Sequence, residues 1–346
     1  MSGIEKIDKN FEVKSVSSDG MIYFNCMEKP FEVYGLISSE NGFLRMPQTV
    51  ADSVNDGVKK LNCNTAGGRV RFVTDSRQIS IRAKMRSIGK MPHFALTGSA
   101  GFDLYAHGDY EGTFIPPFDI KDGYESVLQL SSSGEREITI NFPLYSGVVS
   151  LEIGLCAGSS LKRASGYAIR RPVVYYGSSI TQGGCASRPG SSYQSIISRR
   201  LGCDFVNLGF SGSARGEDAM AEYISGLSMS AFVYDYDFNA PNKEHLQNTH
   251  ARMFQTVRQK NPGLPVIMLS CPNSKLNDVF RYRRDVIMRT YIDARNSGDD
   301  NVYFIDGEKI FSIFGGDGGT VDNCHPNDLG FACMAKAVGD VLYNIL

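Results

Sequence analysis

Hydrophobic and polar positions alternate in short runs through the first half of the chain and then change rhythm. R-V-R-F-V-T (Arg69 to Thr74), Q-I-S-I-R-A-K (Gln78 to Lys84), R-E-I-T-I-N-F (Arg136 to Phe142) and V-V-S-L-E-I-G-L (Val148 to Leu155) follow the two-residue repeat of half-buried strands. Turns rich in Gly, Ser, Asp and Pro separate them, and helical patterns of useful length are scarce between about Phe11 and Lys162. That pattern predicts an antiparallel β-sandwich. Beyond Arg171, short apolar runs (Val173 to Tyr176, Phe205 to Leu208, Phe232 to Asp235, Val266 to Ser270, Val302 to Ile305) alternate with amphipathic stretches (Ser192 to Leu201, Asp218 to Ser225, Lys243 to Lys260, Asp278 to Asn296, Asp328 to Leu346). Five buried strands separated by helices predict a parallel sheet covered on both faces, a flavodoxin-like doubly wound unit. The rhythm changes between Lys162 and Arg171, so we expect a sandwich domain over residues 1–165 and an α/β domain over 166–346.

Composition narrows the class. The chain has 346 residues, is 42% hydrophobic, and balances 36 Lys+Arg against 37 Asp+Glu for a formal charge of -1. It can bury large cores and offers no general attraction to nucleic acid or anionic lipid. Eight cysteines (Cys26, Cys63, Cys156, Cys185, Cys203, Cys271, Cys324, Cys333) include no C-x-x-C pair. They read as free thiols of a reducing compartment, with no metal-ligand cluster. Met1 to Ser15 lacks the apolar stretch of a signal peptide, and no run is long enough to span a bilayer, so the expected location is the cytoplasm.

The candidate chemistry begins at V-V-Y-Y-G-S-S-I-T-Q-G-G (Val173 to Gly184), where a buried strand ends on paired serines. Ligands gather at the carboxyl ends of strands in open α/β sheets, although Gly-Ser-Ser is also ordinary turn chemistry. A serine nucleophile needs a base, usually a histidine held by a carboxylate. Of the five histidines, three lie in the second half. His245 and His250 sit in the polar helical stretch N-K-E-H-L-Q-N-T-H and read as an exposed helix face. His325 lies in V-D-N-C-H-P-N-D-L-G-F, three residues after Asp322, between the glycine-rich loop Gly315 to Gly319 and the last helix. A tight turn can bring such a pair into hydrogen-bond reach; the alternative is an Asp that caps the turn beside an unrelated histidine. G-S-S-I-T-Q-G-G does not fit the G-x-G-x-x-G of dinucleotide binding.

G-x-S near the start of the α/β region and D-x-x-H near its end, in that order, resemble the blocks of the SGNH (GDSL-type) hydrolase family. N-L-G-F-S-G (Asn207 to Gly212) is similar to its second block, and Y-D-Y-D-F-N-A-P (Tyr234 to Pro241) to its third. G-F-D-L-Y (Gly101 to Tyr105) resembles the signature of the sandwich that precedes some SGNH esterases. The resemblance implies Ser179 as nucleophile, His325 as base and Asp322 as its orienting carboxylate. It also implies an oxyanion hole from the N–H groups of Ser179 and Gly212 and the amide of Asn239. Ser178 and Asp237 stand where the family commonly has aspartate and glycine, and Ala240 stands where it has a further aspartate. Asp237 becomes a candidate substrate-orienting group, or a strand-end Asp bonded to a neighbouring turn. Arg188 is a second candidate contact, or a solvent-facing loop residue. R-Y-R-R (Arg281 to Arg284) reads as a solvated helix face.

The implied activity is a serine esterase acting without cofactor or metal on a small acyl ester, acetyl in the first instance, of a carbohydrate. No long apolar lid segment favours a lipid. Two alternatives use the same residues differently: an acyltransferase, and a carbohydrate-binding protein with a degenerate hydrolase half. Neither a nucleic-acid partner nor a membrane is expected, and the sequence sets no oligomeric state.

Overall fold

A computed structural model describes residues 4, 7, 8, 20–131, 133–272, 277–312 and 318–346. Most of the stretch read for a signal peptide, and part of the glycine-rich loop Gly315 to Gly319, lie outside the described residues. In the first half, strands Met21–Asn25, Gly147–Cys156, Gln78–Ser87 and Gly123–Gln129 form one antiparallel sheet in that order. The second sheet runs Leu161–Lys162, Arg69–Thr74, Arg136–Asn141, Phe102–Ala106 and Asp109–Phe114, with Glu32–Tyr34 also paired to Arg69–Thr74. The expected alternation closes the sandwich: Val70, Phe72, Ile79, Ile81, Ile138, Ile140, Leu151 and Ile153 meet between the sheets in one buried core.

The second half is the expected doubly wound unit. Its strands are β1 (Ile169–Gly177), β2 (Cys203–Gly209), β3 (Ala231–Asp235), β4 (Val266–Leu269) and β5 (Val302–Ile305), all parallel in the order β2-β1-β3-β4-β5. Successive side chains of β1 point to opposite faces, so Val174 and Tyr176 enter one core while Val173 and Tyr175 enter the other. The strand order reverses beside β1, which brings the loops after β1 and β3 together at the switch point of the sheet. Among the described residues, no helix is long and apolar enough to cross a membrane.

Short helices, among them Gln48–Val54 and Asp56–Leu61, interrupt the first half, where helical patterns of useful length were expected to be scarce. Met46, Ala51 and Val58 from this segment are buried in the core on the β1 face that also holds Tyr176, Leu208 and Phe210. Ala66, Phe94 and Leu144 complete the opposite core. The first half therefore adds residues to both cores of the α/β unit while keeping a core of its own between its sheets.

The G-F-D-L-Y motif lies at this junction. Asp103 is fully buried and accepts from Asn141 Nδ2 at 2.8 Å and from the backbone N–H of Gly190, in the loop after β1, at 2.7 Å. Burial drives its pKa up to about 6 against the pull of those bonds and of Arg199 and Arg188. Arg199 covers the Tyr105 ring at 4.1 Å, and Gly190 leaves room for the Tyr105 hydroxyl, which a Cβ would approach to 2.3 Å.

Candidate active site

Ser178 and Ser179 divide the strand end between them. Ser178 caps the short helix Ser179–Gln182, its hydroxyl accepting from Ile180 N–H at 3.2 Å. An aspartate performs the same capping, which accounts for the exchange at this position. Gly177 is required by close approach, because a Cβ there would fall 1.7 Å from Asp235 Oδ1. Asp235 closes β3 and accepts from the Thr181 hydroxyl and the Ser178 N–H, fastening the helix from beneath; burial raises its pKa well above the carboxylate range. Tyr145 of the sandwich donates to the Ser179 carbonyl at 3.1 Å from the other side.

The Ser179 hydroxyl then lies 2.9 Å from His325 Nε2, and His325 Nδ1 lies 2.8 Å from Asp322 Oδ2. Asp322 Oδ1 also accepts the N–H groups of His325 and Cys324, at 2.7 and 3.1 Å. Turn cap and ring orienter are therefore the same carboxylate. Partial burial works to raise its pKa, but the hydrogen bonds and charge of His325 outweigh it and hold Asp322 below its usual value. Asn323 turns the chain in the left-handed region at φ 62°, a conformation asparagine tolerates better than most residues. Asn327 caps the last helix, Asp328–Ile345, and Asp328 accepts from Ser187 N–H at 2.8 Å. The histidine loop is thus tied to the serine loop.

Gly212 has φ 66° in the turn closed by Ser213 N–H to Phe210 C=O, and the space beyond its Cα is open. Asn239, in the turn after β3, gives one amide hydrogen to the Phe210 carbonyl at 3.0 Å. Its second amide hydrogen is left for another acceptor. Ser179 opens its helix, and the Ser178 cap takes the Ile180 N–H and not its own.

Other candidates take different places. Asp237 is 1% exposed, with its oxygens taken by the N–H groups of Phe238 and Cys271 at 3.1 Å each. It has no surface from which to orient a substrate and is the strand-end Asp bonded to a turn; burial pushes its pKa up to about 6. Arg188 stacks on Tyr110 at 4.1 Å and lies 3.8 Å from Asp103 and 3.4 Å from the Tyr105 hydroxyl. It clamps the two halves together and does not face solvent freely. R-Y-R-R divides: Arg281 is exposed, whereas Arg283 is buried and donates to the carbonyls of Asp237 and Ala240, holding the turn that carries Asn239. His245 is half-buried, its Nε2 lying 2.7 Å from the Arg215 carbonyl oxygen. His250 is not on the exposed face expected: it is 2% exposed, stacked on Tyr234 at 4.6 Å and bonded to Thr290, and burial lowers its pKa to about 3.

The sandwich contributes a histidine that reading the second half alone could not find. His93 brings Nε2 to 4.0 Å from Asp322 Oδ2, and its ring centroid lies 5.9 Å from that of His325. A ring nitrogen of His93, a ring nitrogen of His325 and the Cys185 sulfur all lie within 4.8 Å of one another. Three residues remote in sequence are thus brought close enough that they could share a metal ion, a juxtaposition that M-P-H-F carries no motif to announce.

A doubly wound sheet with a hydroxyl, an imidazole and a carboxylate in line at its carboxyl edge is a layout that serine-hydrolase chemistry can use. The chain belongs to the GDSL-like lipase/acylhydrolase family, whose model matches residues 170–343, and is a carboxylic ester hydrolase. The GxDLY model, "N-terminus of Esterase_SGNH_hydro-type", matches residues 21–161. A solved structure from Bacteroides ovatus described as a GDSL-like lipase is 29% identical with a TM-score of 0.84, covering 94% of this chain and 98% of that one. The salicylyl-acyltransferase SsfX3 from a tetracycline biosynthetic pathway is 18% identical with a TM-score of 0.78, covering 95% and 99%. A family two carbohydrate esterase from Clostridium thermocellum, in complex with cellohexaose, is 16% identical with a TM-score of 0.63, covering 91% and 98%. The last two likenesses are of fold. Comparison with curated protein sequences finds no match.

Proposed function

We propose that this hydrolase is a serine esterase that removes a small acyl group, acetyl in the first instance, from a carbohydrate hydroxyl. The observation that carries the reading is the continuous relay from Ser179 Oγ to His325 Nε2 and from His325 Nδ1 to Asp322 Oδ2, at 2.9 and 2.8 Å. Ser179 Oγ attacks the ester carbonyl as His325 takes its proton, and the ionised Asp322 stabilises the imidazolium. His325 returns the proton to the departing alcohol. Water, deprotonated by the same ring, then releases the acid from the acyl-enzyme. Negative charge developing on the carbonyl oxygen meets the N–H groups of Ser179 and Gly212 and the remaining amide hydrogen of Asn239, donors already fixed before reaction.

The carbohydrate part of the reading draws support from the carbohydrate esterase among the structures of similar fold and from a second, an acetyl xylan esterase of Butyrivibrio proteoclasticus. The likeness to SsfX3 favours one further reading, in which a hydroxyl acceptor intercepts the acyl-enzyme in place of water. A screen of p-nitrophenyl esters of graded chain length beside acetylated sugars tests the proposal, with Ser179→Ala as blank. Release of acetate from the sugars supports it. Activity confined to long acyl chains would sink the carbohydrate reading, and acyl transfer to added alcohols in preference to water would favour the transferase. A folded protein that a fluorophosphonate fails to label would make the hydrolase half a binding module.

A further inference from the structure

We propose that His93, Cys185 and His325 form a zinc site that shuts the enzyme down when occupied. One ligand atom from each lies within 4.8 Å of the other two, across the boundary between sandwich and α/β unit. Ligands around a tetrahedral zinc sit about 3.5 Å apart, so closing the site takes small side-chain rotations, and His93 is exposed and able to make them. Two imidazoles and a thiol suit Zn²⁺ in preference to the hard cations. Asp322 Oδ2, 4.0 Å from His93 Nε2, is available as a fourth ligand or as the carboxylate that orients one imidazole.

The backbone gives a second indication. Cys185 has φ 74°, a region a cysteine seldom adopts, in the loop directly after the nucleophile helix. It is 8% exposed, and Gly184 before it lies so close to His325 that a Cβ would meet the ring at 3.2 Å. Strain of this kind persists where the surroundings impose it, and here it holds a sulfur beside the base. Burial keeps the free thiol protonated. Binding therefore breaks the S–H bond, leaves its electron pair on sulfur to bind the metal, and releases one proton to solvent without oxidation or reduction.

Inhibition follows from the hydrogen bonds His325 already makes. Its two ring nitrogens are engaged by Asp322 and by Ser179, so a metal on either one removes an interaction the ester chemistry uses. That inhibitory consequence rests on the esterase reading; the binding does not.

The test titrates ZnCl₂, buffered by a weak chelator, into the purified full-length chain while following p-nitrophenyl acetate hydrolysis, with calorimetry on the same preparation. One zinc per chain, loss of turnover at saturation and recovery in EDTA are expected. His93→Ala and Cys185→Ser should each weaken zinc binding by at least about 10- to 100-fold, whatever their basal rates. Co²⁺ in place of zinc should show a thiolate charge-transfer band that Cys185→Ser abolishes. Stoichiometric binding with no esterase activity would leave the site standing and remove the proposed function. Absence of saturable binding, equal affinity in wild type and His93→Ala, or a cobalt spectrum unaffected by Cys185→Ser would overturn the site.

Discussion

The two walls of the cleft are held in different ways. On the sheet side, Ser179 stands on a capped helix fastened to β3 through Asp235, while Asn239 stands on a turn gripped by Arg283. Groups that would share in the reaction come from the ends of β1, β2 and β3 and from the loop before the last helix, and hydrogen bonds hold each in place. On the sandwich side, Tyr145 donates to the backbone carbonyl of Ser179, and Phe94 packs on the Tyr145 ring at 5.2 Å. The candidate reacting groups stand on one side, and the other side contributes packing, Tyr145 and the nearby His93. Four measurements test this contrast.

The largest effect is expected at Ser179, the proposed nucleophile. Ser179→Ala should lower kcat by about 10⁶ with little change in melting temperature, by analogy with nucleophile removal in other serine hydrolases. Ser178→Ala should keep activity and cost about 1 kcal/mol of stability through the lost cap. Equal loss in both, or a fluorophosphonate adduct on Ser178, would show that the serines are assigned the wrong way round.

Next comes Asn239→Ala, expected to lower kcat by about 10² to 10³, or roughly 3 to 4 kcal/mol, while KM stays nearly constant. Asn239 also anchors Phe210, so melting temperature must be measured beside kcat. Near-normal kcat with reduced stability would make it a turn residue only.

Across the cleft, Tyr145→Phe removes one hydrogen bond to a backbone carbonyl. It should cost about 1 kcal/mol of stability and change kcat by less than about fivefold. A hundredfold loss would place the sandwich wall in the chemistry and break the contrast.

The smallest effect at neutral pH is that of His250→Phe, which becomes visible in acid. The native ring loses its proton near pH 3 and the unfolded ring near 6.5, so the unfolded state carries the extra proton between those values. Stability should therefore decline as pH falls from about 6.5 towards 3, and His250→Phe should decline less. Parallel melting curves for the two proteins over that range would show that His250 is not buried neutral.

How far the sequence reached depended on the range of the interaction. Apolar runs such as Val173 to Tyr176 and Val302 to Ile305 announced the parallel sheet because burial on both faces leaves an uninterrupted pattern. The spacing of Asp322 and His325, with two residues between them, allowed either a hydrogen-bonded pair or a turn cap beside an unrelated histidine, and only the resemblance to the family's last block chose the pair. Helices Gln48–Val54 and Asp56–Leu61 were missed because, at 7 and 6 residues, they are too short to hold together alone and depend on the sheet beneath them. His250 looked exposed among polar neighbours because packing of its helix on the flanking helix Asp278–Asn296 is a tertiary fact; Thr290, its hydrogen-bond partner, belongs to that second helix. His93 and Arg283 escaped for the same reason. Nothing near either residue in sequence says what it will touch.

The core to which both halves contribute has a consequence for synthesis. The segment bearing Met46, Ala51 and Val58 leaves the ribosome well before Val174, Tyr176 and Phe232, the partners that bury it. A nascent chain released early would carry an apolar strip with nothing to lie against, a surface on which other chains and chaperones settle. That core draws on residues as far along as Val302, so the strip must be sheltered until most of the second half has been made.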